Sequence, residues 1–159
     1  MFQFTYPGGH AGFLVVATCT HALVGYTLGS YLFERGWAGL LAAVVADVDL
    51  LVPAAWGLPL AHRGITHSAL AVAVAVAVAT RRDRLTAGAV GVGYASQLLI
   101  DATTPMGIPL AYPLSSAFVG VTLHGHSPNA TALLWLCCLG LLLHRRVARS
   151  DRAVALETR

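Results

Sequence analysis

The sequence has very little charge, and the charge it has is lopsided. Only 11% of its 159 residues are Asp, Glu, Lys or Arg. Lysine is absent; ten arginines face seven acids, for a formal charge of +3. Soluble domains carry about 25% charged residues, so a surface this poor in charge would not stay dissolved. The arginines gather at the ends of apolar stretches and form no stripe, which excludes a nucleic-acid-binding face. Three cysteines, Cys19, Cys137 and Cys138, lie in apolar runs without Cys-x-x-Cys spacing. This excludes a disulfide framework and a zinc knuckle, and leaves them as small buried hydrophobes. The first dozen residues lack Lys, Arg and a cleavage pattern, so no removable signal peptide is expected.

What is present is apolar sequence, with 57% hydrophobic residues and a mean hydropathy of +0.70. The expected class is therefore an all-α integral membrane protein, a bundle of about five apolar helices. Residues 11–33 form an uncharged first span whose His21, Gly25 and Gly29 share one stripe, open to close helix approach. Residues 37–52 form the second, carrying Asp47 and Asp49 near its end. Thr66 or Ser68 is placed to cap a third helix running to Ala79. Its Ala-Val alternation has a strand's period, but a lone strand in lipid leaves its backbone unsatisfied, so a helix is expected. The fourth covers 85–100, with Asp101 at its end. Pro105, Gly107, Pro109 and Pro113 then forbid one regular helix over 102–123, leaving a long connection that is re-entrant or lies over the bundle. Ser127-Pro128 reads as a cap with proline in the first helical position, opening a last span at 129–144. Residues 1–144 thus read as one membrane domain and 145–159 as a basic cytoplasmic tail.

With five crossings and the C-terminus inside, Arg35, the Arg81, Arg82, Arg84 group and the tail arginines all fall on the cytoplasmic side. Asp47, Asp49, His62, His67, Asp101, His124 and His126 then fall together on the outer side, with Arg63 the one basic exception and His21 deeper in the bundle. Imidazoles and carboxylates brought from several helices into a bundle are the usual means of holding zinc or a pair of divalent ions. Gln97 and Asp101, four apart, share a helix face. Asp47 and Asp49, two apart, point about 200° away from each other on a regular helix. One of them binds and the other supports, unless the helix frays there. Each residue also has a structural alternative. His21 can be a hydrogen-bonded bundle histidine, Asp47 or Asp49 the partner of Arg63, and Thr66 and Ser68 caps instead of substrate contacts. His124 and His126 read as loop histidines, and His10 and His144 as surface residues.

His21-x-x-x-Gly25, Asp47-x-Asp49, His62-Arg63-Gly64-x-Thr66-His67-Ser68, and Leu98-Leu99-Ile100-Asp101 followed by Thr104-Pro105-x-Gly107-x-Pro109-Leu110-x-Tyr112-Pro113 resemble the YdjM family of membrane-bound, predicted metal-dependent hydrolases. The resemblance covers about residues 18–114. That family is held to be distantly related to zinc-dependent phospholipases C and fungal single-strand nucleases, which implies phosphoester hydrolysis. It implies a divalent ion, zinc foremost, on His21, Asp47, Asp49, His67 and Asp101, with Gln97, Thr66 and Ser68 in support. Asp49 is then the base for water, Arg63 the phosphate contact, and His62 a further ligand or the acid for the leaving group. The family pattern has a histidine where this chain has Gln97, and an amide is the poorer zinc ligand. The expected substrate is a phospholipid or lipid-linked phosphate at the extracytoplasmic face of a prokaryotic cell membrane. A non-catalytic protein with a structural metal or polar network at the same residues is the alternative, ahead of a small cation carrier.

Overall fold

A computed structural model describes residues 6–157. Among these residues the fold is all-α, with five helices: α1 Gly9–Phe33, α2 Gly36–Val45, α3 Ala69–Ala79, α4 Arg84–Ala102 and α5 Pro128–Glu157. Direction alternates along the chain. Tyr6, just before α1, donates from Oη to the carbonyl of His126, just before α5 (2.7 Å), and Glu34 at the far end of α1 meets Arg145 and Arg149 of α5. Hence α1 and α5 run parallel, while α2 and α4 return from the arginine end to the His/Asp end.

Helices α1, α2 and α4 form the heart of the bundle, with α3 against α4 and α5 against α1. Their approach is set by missing side chains. A Cβ on Gly39 of α2 would run into the carbonyl oxygen of Gly25 in α1, and one on Gly93 of α4 into that of Gly39. Backbone-to-backbone packing of this kind is what small-residue stripes permit.

Inside and outside are chemically inverted. The largest fully buried side chains include His21, His67 and Gln97. Leu51, Leu114, Leu136 and Trp37, by contrast, are exposed. Such an arrangement is costly in water and natural in lipid, where polar groups turn toward the bundle interior.

The expected count of helices is met, but not as five crossings. Among the described residues only α1 and the Pro128–Ser150 part of α5 are both long and apolar enough to cross a membrane. Helices α2 and α3, with 10 and 11 residues, reach about 15–17 Å, half of a ~30 Å hydrocarbon core. In place of a continuous second span, α2 gives way at Ala46 to a 3-10 turn, Ala46–Leu51, which carries both aspartates. The Ala-Val alternation is helical, and Ser68 caps it by accepting from the N–H of Ala71. At α5 the Ser127 cap accepts from the N–H of Ala130, and the helix continues past His144 through residues expected as tail. The long connection is not helical. It folds back on itself through paired bonds between Ile108 and Val119 and lies along the end of α4, where Val121 and Leu123 donate to the carbonyls of Ala102 and Thr103.

Candidate metal centre

Five separate pieces of chain deliver polar side chains to one end of the bundle: α1 gives His21, the 3-10 turn gives Asp47 and Asp49, and the loop before α3 gives His62, Arg63, Thr66 and His67. The end of α4 gives Gln97 and Asp101, and the residue ahead of the α5 cap gives His126. His21, Asp49, Arg63, His67, Gln97, Asp101 and His126 are all buried.

Asp101 is the hub. Its Oδ1 accepts from Arg63 Nη2 at 2.9 Å and faces His126 Nε2 at 3.0 Å and His21 Nε2 at 3.7 Å. Its Oδ2 faces His67 Nε2 at 3.1 Å and accepts from Gln97 Nε2 at 3.3 Å. Arg63 is drawn in by more than charge. Its Nη1 donates to Thr104 Oγ1 (2.6 Å) and the Gly107 carbonyl (3.0 Å), both in the connection that covers this end. The guanidinium therefore pairs with Asp101. Of the two partners considered from sequence, Asp47 and Asp49, the second meets only the Arg63 backbone N–H, at 2.9 Å.

The two aspartates of the 3-10 turn divide their work around His67. Asp49 lies on the Nδ1 side (3.1 Å) and also holds His62 Nδ1 (2.8 Å) and the Thr66 hydroxyl (2.7 Å). Asp47 lies on the Nε2 side (3.6 Å) and accepts from Gln97 Nε2 (2.9 Å). A helix tightened to three residues per turn, not a frayed one, brings both carboxylates to one ring. Ser68 serves as a cap and bonds to the carbonyl of Ile65; it takes no part in this network.

Burial tends to raise the Asp49 carboxyl, but hydrogen bonds from His62, His67 and Thr66 outweigh it and hold the group below the usual carboxylate range. For His67 burial lowers the pKa, and hydrogen bonds to Asp101, Asp47 and Asp49 override this, raising it to about 10. Three carboxylates share this space with the Arg63 guanidinium and a protonated His67, leaving one negative charge to be balanced. A buried excess of that size is costly unless protons or a cation offset it.

Two groups have the ligand types and spacing for a metal ion: His21, Asp101 and His126, all buried, and Asp47, His62 and His67. Ligands at about 2.0–2.2 Å from a tetrahedral ion stand about 3.3–3.6 Å apart, close to the 3.0–3.7 Å separations around Asp101. The buried Nδ1 atoms of His21 and His126 have no hydrogen-bond partner, an uncommon state for native polar groups. By ligand type and spacing the donor set fits a divalent ion. His126, expected as a loop histidine, joins His21 and Asp101 in one group; its signal in the sequence is its place directly before the Ser127-Pro128 helix start, at the same bundle end as His62 and Asp101. His124 is exposed and belongs to neither group.

Above these groups lies a cavity of about 470 Å³ with walls that include Phe13, Leu14, Leu50, Pro105 and Met106, and with His62, Arg63 and His126 among its lining. A smaller recess of about 30 Å³ lies among His21, Asp47, His62, Asp101 and His126.

Fold and site together define a helical membrane protein with buried His/Asp groups able to hold metal. The chain matches the family model described as YdjM inner membrane protein over residues 12–158, nearly its whole length, and belongs to that family. The match thus extends through α5, beyond the motifs that carry the resemblance. No curated protein and no solved structure matches it.

Proposed function

We propose that this chain is a membrane-bound, metal-dependent hydrolase acting on a phosphoester of a lipid or lipid-linked phosphate. Its site faces the extracytoplasmic side and the end of α5 the cytoplasm. The observation that carries this reading is Asp101, whose two oxygens face members of both ligand groups beneath a cavity that is apolar on one side and ionisable on the other. A divalent ion bound here, with zinc the expected one, would supply a water of lowered pKa and polarise a phosphoryl oxygen.

His21, His126 and Asp101 would hold one position, and Asp47, His62 and His67 the other. Asp49 orients His62 and His67 through their Nδ1 atoms, as carboxylates behind ligating histidines do. Its four contacts leave it an orienting group more than a free base. His62 has a partly exposed side chain and lines the cavity, so its second ring nitrogen is the one available to bind or to move a proton. Arg63 keeps Asp101 in place and adds positive charge beside the phosphate.

A non-catalytic reading is favoured by one feature. The Gln97 amide nitrogen lies within 2.9–3.3 Å of Asp47 Oδ1, His67 Nε2 and Asp101 Oδ2, and its two N–H groups donate to the two carboxylates, oxygens that an ion would use. Metal analysis of purified protein and of Asp47→Ala, His67→Ala and Asp101→Ala, each assayed on soluble phosphomonoesters, phosphodiesters and phospholipids, separates the two. Metal lost in the variants together with turnover supports the hydrolase. Bound metal without turnover on any substrate supports the structural role, and full occupancy in all three variants refutes a shared site.

A further inference from the structure

At the opposite end of the bundle lies a second polar feature that the proposed reaction does not use. A cavity of about 600 Å³ opens between the end of α1, the start of α2 and residues 142–150 of α5. Arg145, Arg146 and Arg149 line it, with Glu34 the one acid among the described residues, and Tyr26, Ser30 and Trp37 are part of the wall. By helical rise this place is about 20 Å along α1 from His21.

Two guanidinium groups converge there on one oxygen. Arg145 Nη2 and Arg149 Nη2 donate to Glu34 Oε1 at 3.0 and 2.8 Å. Arg145 is mostly buried, and its Nη1 is enclosed without any hydrogen-bond partner. Among the described residues, three arginines against one carboxylate leave the cavity positive, and the spare donor finds no acceptor. Trp37 is exposed and packs edge-on against Tyr26; exposed tryptophan beside arginine at a helix end is characteristic of head-group depth. Forked guanidinium groups suit phosphate oxygens, and basic pockets between membrane helices take anionic head groups.

We propose that the Arg145/Arg146/Arg149 cavity is a phosphate-anion site, filled by the head group of an anionic lipid or by free phosphate, with Glu34 competing for the same two guanidinium groups. This does not depend on the hydrolase reading. The test is thermal unfolding of the full chain in a neutral detergent, titrated with short-chain phosphatidylglycerol, short-chain phosphatidylcholine or inorganic phosphate. Saturable stabilisation by phosphatidylglycerol, absent with phosphatidylcholine and inorganic phosphate, assigns the lipid head group. Equal stabilisation by inorganic phosphate assigns the free anion.

Two variants separate binding from mere clamping of α1 to α5, because both break the Glu34 bridges. Arg145→Gln/Arg149→Gln should abolish the ligand-induced shift, whereas Glu34→Gln should keep it and tighten apparent affinity several-fold. The proposal is overturned by the same shift in the double arginine variant, by loss of the shift in Glu34→Gln, or by no shift with any of the three ligands in the wild type.

Discussion

Asp101→Asn keeps shape and volume but removes the charge at the point where the site is held together. Arg63 would lose its only carboxylate partner while its guanidinium remains buried. Leaving one member of a buried ion pair uncompensated costs about 3–5 kcal/mol. Set against a total stability of about 5–15 kcal/mol, and at roughly 2–4 °C per kcal/mol for this chain length, Tm should fall by roughly 6–20 °C. The assay is tryptophan fluorescence during heating in detergent, with metal content measured on the same preparations. Arg63→Met/Asp101→Asn removes both charges, so it should recover much of the loss, giving a coupling on the order of 2 kcal/mol. Metal should be lost in both variants, since the carboxylate is missing from each. A Tm for Asp101→Asn within about 2 °C of wild type, or a double variant no more stable than the single, would refute the hub assigned to Asp101.

Other consequences are equally direct. His67, raised to about 10, keeps its proton in the metal-free protein at neutral pH, and an ion must displace that proton to bind. Affinity should therefore rise with pH between about 7 and 9, by up to tenfold per unit; calorimetry in two buffers of different ionisation enthalpy should show the released proton, and a flat profile would exclude His67 as a ligand. Gln97→His places an imidazole among Asp47, His67 and Asp101 and should slow metal loss to a chelator by on the order of tenfold; unchanged loss would show that position 97 does not touch the ion. Gly39→Val should lower Tm through a cost of about 3 kcal/mol or more, because its Cβ meets the Gly25 carbonyl, while Gly140→Ala, with open space around it, should be neutral or slightly stabilising. Sidedness is read by labelling in a cysteine-free background: Ser116→Cys, exposed in the long connection, should react with an impermeant maleimide from outside, and the exposed Arg82→Cys only after permeabilisation. The opposite pattern would invert the proposed orientation.

The sequence by itself determined the membrane class, the all-α fold and the gathering of His and Asp at one end. All three follow from local properties: apolar runs must hydrogen-bond internally in lipid, and polar residues at segment ends meet when helices alternate in direction. It also marked the Ser127 cap and narrowed that of α3 to Thr66 or Ser68, since caps depend on neighbours three residues away. Helix length was less legible, because a window of hydrophobicity does not register that Asp47 and Asp49 turn the end of α2 into a 3-10 turn, nor that α5 runs on through a basic segment. Partnership was the part decided only by tertiary structure. Whether Arg63 meets Asp49 or Asp101, which aspartate faces which nitrogen of His67, and that His126 returns beside His21 are questions of distance between residues 14 to more than 100 positions apart. Glycine contacts among α1, α2 and α4 set those distances, and with them the chemistry the site can perform.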